Sequence, residues 1–182
     1  MAPDFWSDPK TAEVVVKKVS AIKFWVDGYS KAEGLMDDCN TLTEFGEDAA
    51  ADLEVAFSQL QNQVESLEMR NMLGAEGDNL GAILKINSGA GGTESNDWSS
   101  MLMRMYMRWG ERNGYKVEVS DLLEGDEAGI KSVTIEFEGE YAYGYLKAEN
   151  GVHRLVRISP YNAQGKRQTT FSSVFVYPLV DD

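Results

Sequence analysis

Apolar residues recur along this chain with two different periods, and the change from one to the other near residue 77 divides it. From Pro9 onward, Val14, Val15, Ala21, Ile22, Trp25 and Val26 follow helical spacing. Leu53, Phe57, Leu60, Val64 and Leu67 repeat it across a second helix from about Asp48 to Met72. The stretch near Asn40 to Gly46 links them and turns the chain back, which predicts an antiparallel helical arm over residues 1–76 with no strand in it. Beyond Gly77 the pattern alternates. Ile83–Asn87, Tyr115–Val119, Ile130–Phe137, His153–Ile158 and Phe171–Val176 are short, rich in β-branched and aromatic residues, and read as strands. Between the first two, Trp98, Met101, Leu102, Met105, Tyr106 and Trp109 form the core stripe of a long helix, Glu94 to Asn113, stopped by Gly114. Tyr141 to Ala148 reads as a short helix. The predicted class is α+β: the helical arm, then an α/β-sandwich-like domain over residues 77–182 with a mixed or antiparallel sheet packed on the long helix.

Charge makes one segment of this pattern unusual. The 182 residues carry a net charge of −13. Six basic and fifteen acidic residues precede Gly77, so the arm is a poor ligand for RNA and is better suited to meeting protein. From Lys147 to Gln168, however, five basic residues (Lys147, Arg154, Arg157, Lys166, Arg167) face only Glu149. Those cations sit in and around a hairpin whose loop, Ser159-Pro160-Tyr161-Asn162, turns through the fixed φ of Pro160, with Gly165 just before Lys166. Such a loop suits local, patch-steered recognition of a polyanion, against the plainer alternative of a solvated surface.

A second motif, Ser88-Gly89-Ala90-Gly91-Gly92-Thr93-Glu94, joins a strand to the long helix. Thr93 is the expected N-cap, with Glu94 and Asp97 in the first turn where carboxylates complement the helix dipole. A dinucleotide fingerprint fails because its third glycine position is Glu94, and a P-loop fails for want of a following Lys-Ser or Lys-Thr. A tight turn without a ligand stays open as the alternative. Arg104, Arg108 and Arg112 stack one turn apart, as a row for RNA phosphate or as a solvated row paired with Glu111. Hydrophobic content of 43% supports a real core. No apolar run is long enough for a membrane span or secretory signal, so a cytoplasmic protein without a membrane partner is expected. Lone Cys39 reads as a surface or packed thiol, lone His153 as a structural hydrogen-bonding residue, and no metal or cofactor is expected.

The order Gly151-Val152-His153-Arg154-Leu155-Val156-Arg157, then Ser159-Pro160-Tyr161, then Arg167-x-Thr169-x-Phe171-x-Ser173-Val174-Phe175-Val176 closely resembles the stop-codon recognition domain of bacterial class I peptide chain release factors. Within that family it resembles the type that reads UAA and UGA, where a Ser-Pro-Phe tripeptide meets the codon; here the aromatic is Tyr161. The resemblance implies translation termination. Ser159 would bond the second codon base, with Pro160 and Tyr161 beside it. Thr169 would meet the third base, and Gln168 stands where the family commonly has a stacking His. The helix start at Gly92, Thr93 and Glu94 would contact the first uridine. Arg154, Arg157, Lys166 and Arg167 would meet RNA phosphate. Implied partners are the ribosome, at its 16S rRNA decoding centre and at ribosomal proteins near the stalk base, and the mRNA stop codon. The family hydrolyses peptidyl-tRNA through a Gly-Gly-Gln loop, whereas Gly91-Gly92 here is followed by Thr93. Met1–Trp6 resembles the middle of the family's helical domain. These residues are therefore expected to form the first half or so of a longer factor, binding the codon without catalysing. Three alternatives stand beside this: a codon-reading paralogue without hydrolysis in rescue or regulation, an enzyme using the Gly-rich turn for an anionic cofactor, and a structural adaptor built on the arm.

Overall fold

The computed structural model describes residues 9–180; the Met1–Trp6 segment likened above to a release factor, and Asp181 and Asp182 at the other end, lie outside them. The chain forms two compact units, Met1–Met72 and Leu73–Asp182.

In the first unit, α1 (Pro9–Glu44) and α2 (Ala50–Met72) run antiparallel, joined by a tight 3-10 turn at Gly46–Ala49. The first helix thus runs through most of the stretch expected to turn, and the reversal takes place at Phe45 and Gly46. Two helices lying side by side cover only a narrow seam of each other. On α2 that seam is Leu53, Leu60 and Leu67, seven residues apart, while Phe57 is 57% exposed. On α1 it runs through Ala21, Phe24, Gly28, Leu35 and buried Cys39, not through Ile22 and Val26, which stay open to solvent. Gln63 donates to the Gly28 carbonyl (3.1 Å) and the Arg70 guanidinium stacks over the Phe24 ring (3.7 Å), pinning the register.

The second unit is a five-stranded antiparallel sheet in the order β2-β3-β1-β5-β4: β1 Gly81–Ser88, β2 Lys116–Glu124, β3 Ile130–Glu138, β4 Gly151–Ile158, β5 Arg167–Leu179. Helix α3 (Thr93–Arg112) and the short α4 (Ala142–Leu146) cover one face. Alternation puts Leu84 and Ile86, Val133, Ile135 and Phe137, and Val174 and Val176 on that face, against Leu102 and Tyr106 of α3. The α+β class is as the periodicity predicts, with every strand pair antiparallel. Strand β2 runs further than its apolar alternation suggested: 120–124 continue pairing with β3 past a register shift at Val119/Asp121.

The stripe on α3 differs from the apolar pattern. The helix buries Ser95, Ser99, Leu102, Tyr106 and Gly110, while Met101 and Met105 are 42% and 48% exposed. Small residues are required where the N-terminal half of α3 lies close on β5. There the Ser99 and Ser172 hydroxyls share a hydrogen bond of 2.8 Å, and Ser95 donates to the Gly89 carbonyl at 2.8 Å, so these serine hydroxyls are matched, whereas the neighbouring Thr170 hydroxyl on β5 is buried with no hydrogen-bond partner among the described residues. Arg104, Arg108 and Arg112 are exposed and, among the described residues, form no ion pair.

At the start of this unit, Asp78 is 1% exposed and accepts from the Lys147 ammonium (2.5 Å) and the Ala75 N–H (2.9 Å). The Lys147 hydrogen bond outweighs the cost of burial and holds the Asp78 carboxyl below the usual carboxylate range. That contribution is full above the unfolded value and disappears as pH falls through the lower folded one. Lys147→Met leaves the buried charge without its cation and is expected to cost about 3 kcal/mol at neutral pH. In urea unfolding the deficit should shrink on acidification, because Asp78 without Lys147 takes up a proton more readily.

Candidate nucleic-acid interface

Two local structures converge at one end of the sheet. The first is the turn into α3. The helix begins at Thr93, and Gly92 is its cap, with φ 58° and ψ −137°, a conformation closed to residues with a side chain. Thr93 therefore does not cap; its hydroxyl donates to Glu127 (2.8 Å) instead. The correction has a simple cause, because the extended φ that an N-cap threonine needs is replaced by a glycine turn one residue earlier.

The second is the loop between β4 and β5. Ser159 accepts the Tyr161 N–H on its hydroxyl (3.1 Å), and Asn162 accepts the Gln164 N–H on its side-chain oxygen (2.9 Å). Two side-chain turns in succession thus shape the loop, each mimicking a backbone turn. Pairing with β5 fixes which β4 side chains point inward. His153, Arg157 and Ser159 lie on the α3 side, and Arg154 lies on the other side, opposite Phe171. His153 fills its structural role through its Nε2 contact with the Glu149 carbonyl (2.9 Å), while its own carbonyl accepts from Trp98 Nε1 (3.0 Å).

Glu94 joins the two parts. Its carboxylate accepts from Arg157 Nε (2.6 Å) and, through a very short hydrogen bond, from the Ser159 hydroxyl; Arg157 Nη2 reaches on to Asp97 (2.6 Å). The Glu94 side chain is 11% exposed and Arg157 24%. Burial opposes ionisation of Glu94, but hydrogen bonds from Arg157 and Ser159 outweigh it and hold the carboxyl below its ordinary value. The same pairing with Glu94, followed by Asp97, pushes Arg157 up. Partial desolvation and the charge of Asp97 raise Tyr161, although its side chain stays half-exposed.

Above this network opens a cavity of about 630 Å³. Gly91, Thr93 and Glu94 form one wall, Ser159, Tyr161, Asn162, Ala163, Gln164 and Gln168 another, and Glu127 from the β2–β3 hairpin a third. Of the residues singled out in the sequence, Thr93, Glu94, Ser159, Tyr161 and Gln168 meet here. Gly92 lies just outside the lining, beside Gly91. Pro160 and Thr169 do not line the cavity, and Thr169 pairs with Val156 on the opposite side of the strands. Lys166 and Arg167 are exposed near the loop. Arg157 stands beneath the cavity, engaged by two carboxylates with which any phosphate would have to compete. Glu127 is not among the residues that the sequence pattern singles out; the glycines at 125 and 129 that bracket it are the available signal.

Residues 1–174 match the family described as PCRF domain. The chain belongs to the PCRF domain family. Among similar proteins in that family, peptide chain release factor 2 of Nitratiruptor sp. is 47% identical over 186 residues, covering 100% of this chain and 50% of that protein. Peptide chain release factor 2 of Staphylococcus epidermidis is 48% identical over 181 residues, with 97% and 49% covered. The solved structure of RF2 of Thermus thermophilus is 41% identical with a TM-score of 0.63, covering 98% of this chain and 51% of that one. The resemblance carried by the loop residues is thus borne out across the whole chain. The chain spans about half the length of the curated relatives it matches.

Glu94→Gln in this PCRF domain leaves Arg157 with one carboxylate and Ser159 with a weaker acceptor. The expected loss is about 1–3 kcal/mol, with faster amide exchange across residues 159–166 read by mass spectrometry. Acid should act the same way: since the Glu94 value is lowered on folding, loop protection is full above its ordinary value of 4.5 and is lost as pH falls through the folded one.

Proposed function

We propose that this chain reads UAA and UGA stop codons in the 16S rRNA decoding centre of the ribosome, as the recognition part of a cytoplasmic translation termination factor. The observation that carries the reading is the convergence of Ser159, Tyr161, Gln168, Thr93 and Glu94 on one cavity large enough for unstacked bases. Specific RNA readers work on such splayed bases, through hydrogen bonds to their edges and stacking on flat side chains. Tyr161 is 47% exposed and supplies the ring; the Gln168 amide supplies a smaller planar surface that stacks less well than the histidine common in the family. The helix start at Gly92 to Glu94 takes the first uridine, and Thr169 meets the third base from the strand edge. Lys166 and Arg167, with Arg154, supply phosphate contacts that position without specifying. The acidic helical unit, Met1–Met72, faces ribosomal proteins near the stalk base.

The Glu94–Ser159 hydrogen bond suggests how one residue tolerates two bases. With its proton on Glu94, the Ser159 hydroxyl offers a lone pair to an adenine 6-amino group. Rotated away, it donates to the 6-oxo group of guanine. Glu94 is thus a positioning residue for the second base. No Gly-Gly-Gln occurs in these residues, and the role assigned to them is recognition; peptidyl-tRNA hydrolysis is assigned to the full-length factor.

Binding of the chain to ribosomes programmed with UAA, UGA, UAG or a sense codon tests the reading, with peptide release followed in the same samples. The expected result is preference for UAA and UGA without release; codon-independent binding overturns it. Ser159→Ala should weaken discrimination at the second base by about 1–3 kcal/mol.

A further inference from the structure

The cavity has a wall that the loop and the helix start do not explain. Between β2 and β3 the hairpin closes through the Gly125 N–H on the Gly129 carbonyl (2.9 Å). Gly129 has φ 67°, and a Cβ placed on it would lie 2.2 Å from the backbone of Asn96. The hairpin tip is therefore seated directly on the first turn of α3, and only glycine permits the approach. Its two neighbouring acids have different fates. Asp126 is neutralised by Lys131 (2.6 Å), whereas Glu127 projects into the cavity lining and receives the Thr93 hydroxyl on Oε2 (2.8 Å). No described residue donates to its Oε1.

We propose that Glu127 is a specificity-determining residue of the codon cavity, accepting a hydrogen bond from a base ring N–H. The proposal deepens the codon-reading assignment above and rests on it. Of the two carboxylates in the lining, Glu94 is engaged by Arg157 and Ser159, so Glu127 is the one with acceptor capacity left. An ionised carboxylate only accepts. On the pairing edge of a base, uracil N3 and guanine N1 carry a hydrogen, while cytosine N3 and adenine N1 present a lone pair. A carboxylate facing that atom attracts the first pair and repels the second, and its charge keeps phosphate away. Held by Thr93 at the end of the cavity assigned to the first base, Glu127 selects uridine over cytidine there.

Glu127→Gln keeps the shape and adds a donor that cytosine N3 can accept. Glu127 is exposed, so the variant should fold and melt like the parent. The chain and the variant are compared for affinity to ribosomes programmed with UAA, CAA and UCA. The preference for UAA over CAA is expected to fall about tenfold in the variant, with the preference for UAA over UCA, a second-base difference, unchanged. If the parent separates UAA from UCA and the variant keeps its UAA-to-CAA ratio, the role of Glu127 is overturned and codon reading stands. If both ratios fall together, Glu127 supports the cavity generally and the assigned specificity is overturned. A parent chain that separates UAA from neither sense codon overturns both assignments.

Discussion

The nearly buried carboxylate of Glu94 is the constraint on which the loop-bearing end of the sheet is arranged. A carboxylate that is 11% exposed must be matched by donors or give up its charge, and the donors here come from different places. Arg157 stands on β4, Ser159 opens the following loop, and Glu94 itself sits in the first turn of α3. Satisfying one charge therefore fixes a helix end, a strand end and a loop origin relative to one another. Arg157 carries the constraint onward to Asp97, one turn further along the helix. Buried networks of this kind are stiff because each partner, once unpaired, carries its own desolvation cost.

What lies above and below Glu94 follows from the same requirement. The close seat of α3 on β5 uses Ser95, Ser99 and Ser172 in place of larger apolar residues, bringing the helix start down to the level at which Glu94 meets Ser159. The Gly92 turn delivers the chain into that helix. The hairpin tip at Gly129 rests on the same first turn, so three connections from three parts of the sheet meet around a single carboxylate.

The distribution of charge takes on a different meaning in three dimensions. Along the sequence the hairpin is a basic island in a chain of net charge −13. In the fold its cations separate. Arg157 is turned inward to neutralise acids, Arg154 lies on the far side of β4, and Lys166 and Arg167 stay open near the loop. The cavity itself is walled by Glu94 and Glu127, with no cation in its lining. The exposed cations and the hydrogen-bonding groups of the cavity are thereby placed at different spots; in nucleic-acid readers such a separation lets a weak general attraction coexist with a sharp local preference.

Periodicity determined the two units, the antiparallel helical pair, the long helix and the strands, because burying a helix face or a sheet face leaves a mark at spacings of three to four or two residues. The order of residues from Gly151 to Val176, with the Gly-rich turn before Glu94, determined the family and most of the candidate site. Only the tertiary structure decided the rest. It set which apolar residues of α1 and α2 form the seam, because a two-helix contact covers less surface than the pattern offers. It turned Met101 and Met105 outward and Ser95 and Ser99 inward, because backbone approach outranks hydrophobicity where a helix lies close on a strand. It placed Thr169 outside the cavity lining, because strand alternation sends neighbours to opposite faces. It brought Glu127 to the cavity from 34 residues beyond Thr93, a proximity that no local pattern encodes because it depends on the hairpin docking across the helix end.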